Sequence, residues 1–279
     1  MFCRFLAWKN LKKMIKLNNL SLDFAGNIIF KNISLQVKKT DRIGLIGNNG
    51  SGKTTLLNLL SKKIIPTDGS ISRDKDLKIA YLPQELYFNS DISLKEFVIG
   101  HTSELIELDK RIDEINNMLS KVKIEKKQFK LLDELEEIQY KKDNMNILKL
   151  EINSEKIMKG LGFTNTDFTK NINNFSGGWK MRAELSRLLV LKPNIILLDE
   201  PTNHLDLPAI IWLENFLSTT KCTIILVSHD TKFLDKNINR IFDISQNTIK
   251  DFKGNYSKYI IYREKEIERQ IRQKKNQDK

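Results

Sequence analysis

The stretch DRIGLIGNNGSGKTTLLNLLSKK, Asp41 to Lys63, constrains the fold more than any other part of the chain. An apolar run of strand length ends in a loop holding three glycines, and leucines at helical spacing follow at once. Within the loop, Gly47, Gly52, Lys53 and Thr54 stand in the order G-x-x-x-x-G-K-[ST]. A loop of this kind turns its backbone N–H groups inward to cradle phosphate oxygens. The lysine adds charge at the β/γ-phosphates and the threonine hydroxyl ligates Mg²⁺. The pattern carries that meaning only between a buried strand and a helix, which is where it stands here. Gly47, Asn48, Asn49, Gly50, Ser51, Gly52, Lys53, Thr54 and Thr55 are therefore the expected phosphate site.

The segments on either side give the fold class. Short alternating apolar runs from Ile15 to Val37, broken by Ala25-Gly26-Asn27, predict a small antiparallel β region, and LKIAYLPQ predicts a short strand ending at a proline. From about Ser93 to Lys159 there is no proline and no glycine after Gly100. Leu105, Leu108, Ile112, Ile115, Leu119 and Val122 mark one amphipathic helix there, and Leu131, Leu135 and Ile138 a second. Residues of about 93–190 are read as an all-helical insertion in a domain spanning 14–255. Downstream come the strand NIILLDE, a helix around Ile210 to Leu217, the strand CTIILVSHD and a β-like tail to Ile249. Strands alternating with helices predict an α/β fold with a mostly parallel core sheet. The last segment, 256–279, reads as a charged helix with a narrow apolar seam at Ile260, Ile267 and Ile271 and no partner of its own in the chain.

Composition excludes more than it selects. Hydrophobic residues make up 40% of 279, enough for a core, so disorder is not expected. Lys and Arg number 47 against 35 Asp and Glu, a net charge of +12 that suits nucleic acid, the ribosome or an anionic membrane. The abundance of Ile, Asn and Lys, as an AT-biased genome would give, accounts for the same balance. Cys3 and Cys222 are too few and too far apart for a disulfide framework or metal site, which points to a reducing cytosol. Apolar runs such as TIILV are far short of a membrane span. The opening MFCRFLAWKNLKK is interrupted by Arg4 and lacks a small-residue cleavage site; residues 1–13 read as an extension, with Met14 as an alternative start.

Other residues carry chemistry. In NIILLDEP a buried strand ends in two carboxylates: Asp199 would hold Mg²⁺ through water, and Glu200 would polarise the attacking water. LVSHD repeats the strand-end geometry and puts His229 within reach of a γ-phosphate, while His204 and His101 read as structural. Gln84 ends IAYLPQ and could meet Mg²⁺ or the water while linking the core to the helical insertion. Phe24 could stack on a base or pack in the core. FSGGWKMRAELSRLL places Ser176, Gly177 and Gly178 directly ahead of a helix, whose free N–H groups and dipole favour an anion.

In order, the phosphate loop, Gln84, SGGW, ILLDEP, NHLD and His229 resemble the motif set of an ATP-binding cassette domain, over nearly everything from Ile15 to Lys250. The resemblance implies ATP and Mg²⁺ as cofactors, with Phe24 as the base-stacking aromatic and Gln84 as the Q-loop residue. It makes Ser176, Gly177 and Gly178 the signature motif, Asp206 the D-loop aspartate, Glu200 the catalytic base and His229 the switch histidine. Transporter cassettes commonly continue the signature with Gln, whereas Trp179-Lys180-Met181-Arg182 follows here. Together with DEPTNHLDLPAIIWLE, LVSHDTKFLD and GNYSKY, this resembles the first cassette of the ABC-F subfamily, with 256–279 as the start of its interdomain linker. Such proteins are soluble tandem ATPases without membrane domains, and those characterised act at the ribosome. The resemblance thus implies a cytoplasmic ATPase that needs a second cassette to complete each site, with the ribosome or its RNA as partner. Two other readings remain open: the ATPase subunit of a membrane transporter, and a degenerate module that binds nucleotide without hydrolysing it.

Overall fold

The structure is a computed structural model that describes residues 13–84, 91–99, 103–120, 125–144 and 147–277. The chain opens with β1 (Lys13–Phe24) and β2 (Asn27–Lys38), joined through Ala25 (φ 51°) and Gly26 (φ 87°). Two consecutive positive φ values make a two-residue hairpin turn whose twist matches the strands, so Phe24 pairs with Asn27. Next come β3 (Arg42–Ile46), α1 (Lys53–Leu60), β4 (Asp68–Arg73) and β5 (Ile79–Leu82). Five helices follow: α2 (Leu94–Ile99), α3 (Ser103–Leu119), α4 (Glu125–Asn144), α5 (Ile147–Gly160) and α6 (Gly177–Val190). The chain then returns to alternation with β6 (Ile195–Asp199), α7 (Leu207–Thr219), β7 (Thr223–Val227), α8 (Thr231–Asn237), β8 (Arg240–Ser245), β9 (Thr248–Lys253) and α9 (Tyr256–Gln277).

Two sheets form. Strands β2-β1-β4 make a three-stranded antiparallel sheet, and β5-β6-β7-β3-β8-β9 make a six-stranded sheet in which only β9 runs antiparallel to its neighbour. Strands β6 and β7 are buried at every position, the mark of a parallel sheet covered on both faces. Leu56, Leu57, Leu59 and Leu60 of α1 share one apolar cluster with residues of both sheets, so the helix after the phosphate loop is set in the core. Arg42 donates to the carbonyls of Leu217 at 2.5 Å and Thr220 at 3.1 Å, satisfying the C-terminal end of α7.

The described residues fall into two compact units, one from the chain before residue 87 and after residue 192, the other from the residues between. The second unit holds α2 to α6. Ile115 of α3 and Ile138 of α4 are buried, as their spacing predicts, and Arg111 bridges Glu134 at 2.8 Å across the two helices. Val122 of the predicted first seam lies outside the described residues, as does His101. Among the described residues no helix is long and apolar enough to cross a membrane.

One expectation needs correction. The opening of α9 does have partners in the chain: Tyr259 is buried beside Phe252 with ring centres 5.7 Å apart, and Arg263 reaches Asp243 at 3.2 Å. Aromatic residues one and two turns apart, at 256, 259 and 262, seat the helix start on β9. Ile260, Ile267 and Ile271 stay exposed, at 36%, 47% and 50%.

Candidate functional site

The phosphate loop leaves β3 and enters α1 with its shape dictated by close packing. A methyl group on Gly47 (φ 159°) would stand 2.6 Å from the carbonyl oxygen of Ile244 on β8, and one on Gly52 (φ 102°) would stand 2.9 Å from the Phe30 ring. Only glycine meets both demands at Gly52, a left-handed backbone and no side chain. Ser51 N–H donates to the Asn48 carbonyl at 3.1 Å, which turns the loop. The Lys53 ammonium donates to the carbonyls of Gly47 at 2.9 Å and Asn48 at 3.0 Å, closing the loop on itself. Asn48, Asn49, Gly50 and Thr54 are exposed, while Thr55 is half-buried. The Ser51 hydroxyl is buried and lacks a hydrogen-bond partner.

Beside the loop, at the carboxyl ends of β6 and β7, the structure brings together four of the predicted groups. The Thr54 hydroxyl donates to Asp199 Oδ2 at 2.7 Å. Asp199 is buried, and that burial raises its carboxyl pKa against the opposing pull of Thr54 and Lys53. Glu200 adopts φ 52°, ψ 53°, a left-handed conformation rare for a residue with a side chain. Its N–H donates to the Val227 carbonyl at 3.0 Å, and its Oε2 accepts from the His229 backbone N–H at 3.0 Å. The residue is thereby held at its backbone and at one carboxylate oxygen. Glu200 Oε1 is buried without a hydrogen-bond partner, 3.5 Å from Nε2 of the exposed His229 imidazole.

Tyr81, which sequence reasoning missed, belongs to the same neighbourhood. Burial and the nearby Asp199 charge both raise the pKa of its phenol, and the Lys63 ammonium lies 4.6 Å from its ring centre. Its position in IAYLPQ, three residues before Gln84, was the available signal.

The remaining predicted residues lie on other elements. Phe24 ends β1 with 51% exposure, which removes the core-packing alternative. Gln84 is exposed just past β5. Asp206 caps α7, its Oδ1 accepting from Ala209 N–H at 3.1 Å. Ser176, Gly177 and Gly178 belong to the other unit, where Ser176 is the N-cap residue of α6 and Gly177 its first helical residue. A methyl group on Gly177 would touch nothing within 4 Å. Trp179 does have a structural reason: its ring lies 4.9 Å from Phe163 and 4.5 Å from the Arg182 guanidinium, which donates to the Leu161 carbonyl.

These groups fit a nucleotide with Mg²⁺. Among the described residues no cluster of three or more His, Cys, Asp or Glu could hold a metal ion by itself. Magnesium does not need one, since it takes a hydroxyl or carboxylate or two and completes its shell with phosphate and water. The Thr54–Asp199 pair suits that donor set.

Comparison with known proteins bears on the family and the fold. The chain is 33% identical over 258 residues to ABC transporter F family member 5 of Arabidopsis thaliana, covering 92% of this chain and 37% of that protein. It is 34% identical over 254 residues to ATP-binding protein Uup of Escherichia coli (strain K12), covering 91% and 39%. The chain thus spans about two-fifths of the length of these relatives. The ATP-binding subunit of an ABC transporter superposes with a TM-score of 0.63 at 16% identity, covering 86% of this chain and 90% of that one. An ATP-binding cassette solved as a post-hydrolysis dimer with ADP and phosphate gives 0.59 at 22% identity, covering 86% and 98%. At these identities the structures establish the fold. A protein-family model described as ABC transporter matches residues 30–203, and a second with the same description matches 242–279. The first match runs from β2 through the phosphate loop to the turn after β6, so the chain belongs to the ABC transporter family, as one of its ATPase cassettes.

Proposed function

We propose that the chain is an ATP-hydrolysing cassette of ABC-F type, working in the cytoplasm on the ribosome. The observation that carries the hydrolytic reading is the setting of Glu200, a buried carboxylate beside the Thr54–Asp199 pair with one oxygen held by the His229 N–H and the other without a hydrogen-bond partner. When bound, ATP with Mg²⁺ supplies the phosphoryl group and neutralises charge on the phosphates. The chain does the rest by positioning and electrostatics. Loop N–H groups from Gly47 to Thr55 bind the phosphates, Lys53 exchanges its loop carbonyls for phosphate oxygens, and Thr54 and Asp199 hold the Mg²⁺. Glu200 orients water and accepts its proton, His229 and Gln84 position the reacting end, and Phe24 offers its exposed face to the base. Ser176, Gly177, Gly178 and Asp206 serve a nucleotide shared with a second cassette. The open space around Gly177 supports that role, because nothing within its own unit occupies it.

Relatives named as F-family members support the ABC-F assignment and, through the resemblance, the ribosome as partner. In the test of hydrolysis, Glu200→Gln keeps nucleotide binding and lowers turnover about 10²- to 10⁴-fold in a competent cassette pair. Unchanged turnover would remove Glu200 from the role. Sedimentation with ribosomal particles rather than with membranes checks the partner.

A further inference from the structure

Helix α9 starts within the framework of the nucleotide site. Strand β8 runs parallel to β3 with Asp243 opposite Ile46, the last strand residue before the phosphate loop. Gly47, the first residue of the loop, packs directly on the Ile244 carbonyl that follows Asp243. Interiors this close-packed transmit displacement, so a shift at the start of the loop is felt by β8 at Asp243 and Ile244. Asp243 is buried at 4% exposure and faces α9: its carboxylate accepts from the Arg263 guanidinium at 3.2 Å, and its charge is felt by the buried Tyr259 phenol. Burial, and after it the nearby Asp243 carboxylate, raises the phenol pKa. Tyr259 and Arg263 also line one cleft of about 530 Å³ with Asn48, Asn49 and Gly50 of the loop.

A second tie reaches α9 from the His229 side. Helix α8 is capped by Asp230, the residue after His229, and Asp235 on α8 accepts from the Ser257 N–H at 2.7 Å. The first two turns of α9 are therefore held by two carboxylates, one carried by the neighbour of the phosphate-loop strand and one by the helix that follows the histidine.

We propose that the Asp243–Tyr259–Arg263 clasp couples occupancy of the phosphate loop to the placement of α9, so that the helix reports the nucleotide state outside the sheet. The proposal rests on the nucleotide reading above. Arg263 is suited to such a part because it stands in the cleft at 43% side-chain exposure, free to trade Asp243 for a group entering from the loop side.

Coupling between two sites is reciprocal. If nucleotide tightens the clasp, an intact clasp must tighten nucleotide binding by the same factor. The test uses the full chain with a slowly hydrolysed ATP analogue and Mg²⁺, and reads both affinity and amide hydrogen exchange over residues 256–266. The wild type gains protection there on binding, whereas Arg263→Ala loses that gain and binds the analogue about 5-fold or more weakly. Tyr259→Phe keeps the packed ring, removes only the hydroxyl, and shows the same change in smaller degree. Binding within 2-fold of wild type in both variants, or a wild-type α9 that does not respond to bound analogue, overturns the clasp alone. A wild type that does not bind the analogue overturns the nucleotide reading and the clasp with it.

Discussion

The phosphate loop and the start of α6 both carry glycines into a helix, and they answer to different constraints. At the phosphate loop, a side chain on Gly47 would strike the β8 backbone and one on Gly52 would strike Phe30, so the chain's own packing demands glycine. At the start of α6, Gly177 has an ordinary negative φ, and an added methyl group would meet nothing. The first pair of glycines is explained from within the unit that contains them. Gly177 is not, and a glycine that its own fold does not need is best understood through something that approaches it from outside.

Substitution can break this contrast. Gly52→Ala should cost about 2 to 5 kcal/mol, combining a left-handed backbone at about 1–2 kcal/mol with overpacking at about 1–3 kcal/mol. Gly177→Ala should leave stability equal or raised by up to about 1 kcal/mol, because alanine is the better helix former, while turnover of the cassette pair falls. Denaturant unfolding of the two variants reads the difference, and a Gly177→Ala protein that unfolds as readily as Gly52→Ala would abolish it.

A smaller effect concerns what holds the α6 start in place. Trp179→Ala removes the contacts with Phe163 and Arg182 and should destabilise the helical unit by about 2 kcal/mol, less than a fully buried aromatic, whereas Trp179→Phe restores most of it. Local hydrogen exchange in α6 would separate this from global unfolding.

The smallest effect sharpens the comparison by pH. Asp167 accepts from Lys170 at 2.7 Å and from the Thr164 hydroxyl at 2.6 Å and N–H at 2.8 Å; these bonds, the Lys170 pair foremost, hold its pKa down to about 2. A depressed carboxylate stabilises the fold above the unfolded value of about 3.9 and loses that contribution as pH falls toward about 2. Asp167→Asn should therefore cost no more than about 1 kcal/mol at pH 6, a deficit that shrinks below pH 4. A deficit that stays constant with pH would assign the effect to shape rather than charge.

Local patterns were the legible part. Strand-loop-helix order around Gly47 to Thr55 foretold the loop between β3 and α1, four consecutive apolar residues before Asp199 a covered strand, and three-four spacing α3 and α4. What escaped depends on residues far apart in the chain. No spacing shows that β3 lies between β7 and β8, that Glu200 takes a left-handed backbone, or that Trp179 rests on Phe163. The same holds for α9: its seam was visible at Ile260, Ile267 and Ile271, but the partners of Tyr259 and Arg263 come from β8 and β9.

The central place of β3 also bears on how the protein is made. Ile43 pairs with Ile225 on one side and Arg240 on the other, so the edges of this strand stay unmatched until β7 and β8, at Thr223–Val227 and Arg240–Ser245, have been synthesised. Long-range parallel pairing folds slowly, and open strand edges invite wrong partners in the interval. A product ending before Thr223 would carry every residue of the phosphate-binding motif and still lack the strands that give the loop its form.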